Sequence, residues 1–150
     1  MKEYDLLIIG GGPGGYVTAI KGAQLGLSVG LVERDKVGGA CLHKGCIPTK
    51  ALIQSTHLYE LIKRSREYGI ATEGVRADFG EFHKRKRLIV NKLFAGVEHL
   101  LKKNKVDLFN GTGQIASPDK VLVKDGWTSS LAVSCVPQSA QKGFASGLSK

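Results

Sequence analysis

Apolar and polar positions fall along this chain in blocks of different period. Asp5–Ile9 (DLLII) is a short apolar run stopped by glycine, which predicts a buried strand. Gly10–Gly15 reads as a turn. From Gly14 to Leu25 the period becomes helical: Val17, Ile20 and Leu25 are apolar, and Ala19, Gly22 and Ala23 are small enough for close packing. Gly26 is a stop signal. Ser28–Glu33 (SVGLVE) predicts a second strand. Strand, tight turn, helix and strand within about thirty residues make a βαβ unit with parallel strands and a right-handed crossover.

Two longer helical blocks follow. From Cys46 to Glu67, Leu52, Ser55, Tyr59 and Ile62 recur at three- and four-residue steps, and Gly69 ends the pattern. From Phe79 to Lys103, Phe82, Ile89, Leu93, Val97 and Leu100 form one stripe, and terminal lysines suit the helix dipole. Short strands are predicted at Val106–Phe109, Gly113–Ala116 and Lys120–Val123, with turns at Pro118–Asp119 and Asp125–Gly126. The blocks predict an α/β fold: a parallel sheet, two long helices and a small antiparallel strand element. From Trp127 to Lys150 the chain is rich in Ser, Ala and Gly and has no clear period.

Composition narrows the class. The chain has 150 residues, 42% of them hydrophobic, enough for one globular core. Its longest wholly apolar run, Leu6–Ile9, is too short for a membrane span or a secretory leader, so a cytoplasmic protein is expected. With no export signal, the three cysteines do not suggest a secreted disulfide framework. The formal net charge is +9, and basic residues concentrate between His83 and Lys105. No aromatic side chains interleave with Lys84–Arg87 to stack on bases, so a solvated helix face is expected rather than a nucleic-acid surface.

Chemistry enters at two places. IIGGGPGG contains G-x-G-x-x-G at Gly10, Gly12 and Gly15, after a strand and at the start of a helix. Gly10 allows the tight turn, Gly12 leaves the backbone open to a diphosphate, and Gly15 permits helix–strand contact. The helix N-terminus offers N–H groups to the pyrophosphate. Glu33, ending the second strand, is placed to accept hydrogen bonds from an adenosine ribose and to repel a 2′-phosphate. FAD and NAD both carry that adenosine diphosphate, so this pattern does not separate them.

The second place is GGACLHKGCIPTKALI, Gly38–Ile53, which holds Cys41 and Cys46. A zinc site needs about four ligands, and Cys41, His43 and Cys46 supply three. A bridge between Cys41 and Cys46 demands a break in any helix before Cys46, because five helical residues rise about 7.5 Å. Gly45 permits that break, and Pro48 suits a first helical turn. Cys46 would then head a helix whose field favours thiolate, with Lys50 one turn on. These are the surroundings of a redox cysteine.

The order G-G-x-C-x4-C-x-P-x-K after an N-terminal glycine-rich βαβ unit resembles the flavin-dependent pyridine nucleotide-disulfide oxidoreductases, with the dihydrolipoyl dehydrogenases as the nearest branch. Glutathione and mercuric reductases have related segments. The likeness spans about residues 3–126. It implies a Rossmann-like FAD-binding domain, incomplete here, over residues 1–126, with residues 127–150 an aberrant or disordered tail. It implies that FAD sits on Gly10, Gly12, Pro13, Gly14 and Gly15, with Glu33 and Arg34 at its adenosine end, Gly39, Ala40, Cys41 and Lys50 toward the flavin, and Gly113 touching it by backbone. Cys41 would be the interchange thiol and Cys46 the flavin-facing one. Electrons would pass from dihydrolipoyl groups on lipoyl domains of 2-oxo acid dehydrogenase complexes to the cysteines, to FAD and to NAD. The family works as homodimers.

Ala40 stands where threonine is usual and His43 where asparagine is usual. Family chains continue into an NAD domain and an interface domain carrying a His-Glu pair, and no motif of either is visible. A truncated or frame-shifted product, with little or no dehydrogenase activity and at best weak FAD binding by itself, is therefore expected, and Cys135 is expected to be incidental. A non-catalytic dinucleotide-binding module whose basic helix meets an acidic partner is the alternative.

Overall fold

A computed structural model describes residues 2–125 and 129–135. The expected turn residue Gly126, and residues 127–128 and 136–150 of the expected tail, lie outside the described residues. The chain divides into two compact units, residues 1–39 with 97–150, and residues 40–96.

The first unit holds two sheets. Strands β2 (Leu6–Ile9), β3 (Val29–Glu33) and β4 (Asp107–Asn110) form a parallel sheet in the order β2-β3-β4. β1 (Lys2–Tyr4), β5 (Thr112–Ser117), β6 (Lys120–Asp125) and β7 (Ser129–Cys135) form the other, in the order β1-β7-β6-β5. β5, β6 and β7 pair antiparallel, and β7 runs parallel to β1 with Tyr4 opposite Cys135. The predicted parallel sheet and antiparallel element are both present.

The sequence pattern placed one strand at Asp5–Ile9; the chain instead breaks at Asp5. Its N–H donates to Ser28 Oγ at 2.9 Å, while Ser28 N–H donates to its carboxylate at 2.8 Å. Side-chain bonding of this kind competes with the ladder, and β1 leaves for the other sheet. A second difference is β7, which occupies part of the segment expected to be irregular. SSLAVSC carries no charge, and it lies between β1 and β6 as an inserted strand.

β3 is the middle strand of the parallel sheet, which explains its near-continuous apolar run: Leu31 is 0% exposed and Val32 1%. Val32 also joins Tyr4, Val121 and Val123 in one buried cluster. Helix α1 (Pro13–Gln24) starts with Pro at its first position and stops before Gly26, whose φ is +89°.

The second unit is helical. α2 (Gly39–His43) begins on the last residue of the first unit, and α3 spans Cys46–Lys63. The sequence pattern carried α3 on to Glu67; Ser65–Tyr68 is instead a 3-10 turn, closed by Gly69 in the left-handed conformation. Leu52, Ser55, Tyr59 and Ile62 are all partly buried, on the face that also buries Pro48 and Ala51. α4 spans Phe79–Lys103, as its period predicts. Its stripe shifts at the C-terminal end, inside the first unit: Leu101 is 2% exposed and Leu100 43%. Leu101 lies one turn after buried Val97, and that spacing sets the contact face. Lys84 and Arg87 are exposed, but Arg85 donates to Ala51 O at 3.1 Å and so ties α4 to α3.

Candidate functional site

The glycine turn joins β2 to α1. Gly10 has φ +100°, which L side chains rarely adopt, and its N–H donates to Val32 O at 2.7 Å. A Cβ on Gly15 would sit 1.8 Å from Gly10 O, so only glycine lets the helix start this close to the strand. A Cβ on Gly12 or Gly14 would meet no atom within 4 Å. The outer side of the loop is therefore open at the head of a 12-residue helix, with Gly12 as the cap and no side chain bonding to the first N–H groups. Open backbone with free donors fits a diphosphate. Pro13, exposed at the first helical position, removes a donor that the helix could not use.

Glu33 ends β3 beside this loop. Its carboxylate accepts from Gly11 N–H at 2.6 Å and from Asp35 N–H at 2.8 Å. Arg34 is exposed. Gly38 N–H donates to Gly11 O at 2.7 Å, and a Cβ on Gly39 would lie 2.9 Å from Gly12 Cα. Gly113 packs on the same strands: a Cβ there would meet Ile9 and Val32 side-chain carbons within 3.1–3.3 Å. Its lack of a side chain thus has a packing cause.

The second unit holds Ala40, Cys41, Cys46 and Lys50. Helix α2 stops at His43, and Gly45 (φ −122°, ψ −104°) breaks the chain before α3. A Cβ on Gly45 would lie 3.2 Å from Ala40 O and 3.5 Å from Cys41 Cα, so the break folds back tightly on the start of α2. Cys46 is the first residue of α3 and Pro48 lies in its first turn, as the spacing predicts. Cys41 and Cys46 are both free thiols, Cys41 partly buried and Cys46 exposed. A hydrogen bond with the Cys46 side chain, then desolvation and the Cys46 charge, hold the Cys41 thiol above its usual range. The Cys46 backbone and the Lys50 cation oppose that rise. Ala40 and Lys50 are exposed. His43 stacks edge-on against Phe94 with ring centroids 5.2 Å apart. Among the described residues, no group of three or more His, Cys, Asp or Glu could hold a metal ion. No described helix is long and apolar enough to cross a membrane.

Thus one unit gathers Gly10, Gly12, Pro13, Gly14, Gly15, Glu33, Arg34, Gly39 and Gly113, and the other carries Ala40, Cys41, Cys46 and Lys50. Motif reading gave no part to Gly11 or Val37, which pack together beside Glu33. The third adjacent glycine in GGG was a signal for Gly11, because the fingerprint asks for none there.

Known proteins share this sequence and fold. The family model for pyridine nucleotide-disulphide oxidoreductases matches residues 4–134, running through β7. A dihydrolipoyl dehydrogenase of Bacillus subtilis is 51% identical over 116 residues, covering 77% of this chain and 24% of that protein. One from Acholeplasma laidlawii is 50% identical over 123 residues, 81% of this chain and 37% of the relative. Among solved structures, RclA of Escherichia coli, a flavoprotein disulfide reductase in its Cu(II) complex, superposes with TM-score 0.73 at 26% identity, over 90% of this chain and 27% of that one. The matched part of the chain therefore spans between 24% and 37% of the length of these relatives. They belong to an enzymatic family that uses FAD, with NAD as the acceptor in the dihydrolipoyl dehydrogenases. By loop, strand order, cysteine helix and matched length, this chain belongs to the pyridine nucleotide-disulphide oxidoreductase family.

Proposed function

We propose that these residues are the N-terminal part, residues 1–126, of an FAD-binding domain, and that they serve the oxidation of protein-bound dihydrolipoyl groups. The fold-back at Gly45, which brings the chain entering α3 at Cys46 against Cys41, carries this reading. Gly10, Gly12, Pro13, Gly14 and Gly15 hold the FAD diphosphate, and Glu33 receives the adenosine ribose with Arg34 beside it. Gly39, Ala40, Lys50 and Gly113 line the rest of the cofactor. The open backbone at Gly12 and Gly14 and the uncapped helix support this assignment.

In the oxidised protein Cys41 and Cys46 are joined by a disulfide. A dihydrolipoyl thiolate attacks Cys41 Sγ and breaks the bridge, leaving Cys46 as thiolate. The second lipoyl thiol then attacks its own sulfur in the mixed disulfide and releases Cys41. The lipoyl group leaves as a disulfide, oxidised by two electrons, and the protein keeps two electrons as a thiol and a thiolate. Bound FAD supplies the relay of the electron pair to NAD. Lipoyl domains of 2-oxo acid dehydrogenase complexes are the partners in this reading.

Reconstitution of the refolded chain with FAD, followed by dihydrolipoamide under argon, tests the proposal. Weak flavin uptake at excess FAD and a change in the visible flavin band are expected, and Cys46→Ser should lose the change. A chain that takes up no flavin, or a bound flavin indifferent to the dithiol, contradicts it.

A further inference from the structure

Glu33 is tied into the chain at both carboxylate oxygens. Its two carboxylate oxygens are held by different backbone donors, Oε2 by Gly11 N–H at 2.6 Å and Oε1 by Asp35 N–H at 2.8 Å. Gly11 is tied at its other end as well, since its carbonyl accepts from Gly38 N–H at 2.7 Å. It is also shut in: a Cβ on Gly11 would lie 3.2 Å from Glu33 Cβ, Glu33 Oε2 and Val37 Cγ1 alike, and Val37 is 2% exposed. Segment 33–38 thus clasps the peptide immediately before Gly12, the residue that caps α1. An ionised carboxylate has about four acceptor positions, so two remain after these bonds.

We propose that Glu33 is a positioning residue for the whole diphosphate loop: it fixes the Gly11 peptide, and so the N–H groups beyond it, before any ligand arrives. This rests on the reading of the loop as an adenosine diphosphate site, and it separates two effects of one carboxylate. As a ribose acceptor alone, Glu33 would matter only for ligands that carry ribose hydroxyls. As the organiser of the loop, it matters equally for a ligand that lacks them. Glutamine keeps the shape but offers an NH2 group where one of the two backbone N–H groups needs an acceptor, so Glu33→Gln opens one side of the clasp.

The test uses the full chain with two probes, ADP and 2′,3′-dideoxyadenosine diphosphate, and follows amide hydrogen exchange in the ligand-free protein. Glu33→Gln should weaken the dideoxy probe by about tenfold or more, the scale of a lost charged hydrogen bond. Gly11 N–H should lose protection while the Leu31 and Val32 amides keep theirs, which a general loss of fold would not do. Gly11→Ala, which crowds the carboxylate from the other side, should weaken both probes as well. Dideoxy binding unchanged by Glu33→Gln, or Gly11 exchange the same in both proteins, overturns the proposal. Failure of the wild-type chain to bind either probe removes the dinucleotide reading instead, and the exchange comparison still decides the clasp.

Discussion

At the scale of single residues, charge and hydrogen bonding set the behaviour of the cysteine pair. The first cause of the raised Cys41 thiol is its bond with Cys46, and the Cys46 charge adds to it. Cys46→Ala removes both while leaving desolvation in place. The pH midpoint for alkylation of Cys41 by iodoacetamide should therefore fall in that variant, and an unchanged midpoint would show that desolvation alone holds it. Tyr4 gives a second case. Its hydroxyl donates to Asp107 at 2.5 Å, and Lys2 lies 3.2 Å from the same carboxylate oxygen. Burial, then the bond to Asp107, raises the Tyr4 hydroxyl, and the bond from Tyr4 lowers Asp107. The signs give a window. The lowered carboxylate contributes stability above about pH 4 that is lost as pH falls through its folded value. The raised phenol contributes stability below about pH 10 that is lost as pH rises toward its folded value. Tyr4→Phe should cost about 1–2 kcal/mol at neutral pH in urea titrations and flatten both limbs.

At the scale of elements, the glycines around α1 divide by what surrounds them. Gly15→Ala drives a methyl into the Gly10 carbonyl and should cost about 3 kcal/mol or more. Gly14→Ala meets open space in a helix and should leave thermal stability equal or better by up to about 1 kcal/mol. Urea unfolding of both checks the division. The end of α4 gives a parallel contrast. Leu101→Ala should cost about 2–5 kcal/mol and Leu100→Ala less than about 1, because only Leu101 is fully buried. Period predicted the bounds of α4 and the parallel βαβ unit, the glycine run predicted the turn, and Gly45 and Pro48 with the cysteine spacing predicted the break before Cys46, since each rests on local sequence. Period chose Leu100 over Leu101 because both fit a helical stripe, and only the packing around Val97 separates them. The break at Asp5 was hidden because its cause, Ser28, is remote in sequence. β7 was hidden because an uncharged run without alternation shows itself as a strand only once β1 and β6 flank it.

At the scale of the whole molecule, the two features that carry the proposal fall in different compact units: a glycine loop braced from the end of β3, and two thiols at a helix break. The glycine fingerprint and the cysteine spacing were both legible because each depends on backbone conformation at fixed offsets. The bracing of Gly11 was not, because a carboxylate reaching back to a loop leaves no mark in spacing. The proposed function rests on a reversible two-electron step at sulfur. Equilibration of the chain across a graded dithiol/disulfide buffer, with thiol trapping and peptide mass analysis at each point, tests that step most directly. Cys41 and Cys46 should lose their thiols together, in one two-electron transition, to a single bridged peptide within one chain. Independent trapping of the two thiols, or bridges formed only between chains, would contradict it.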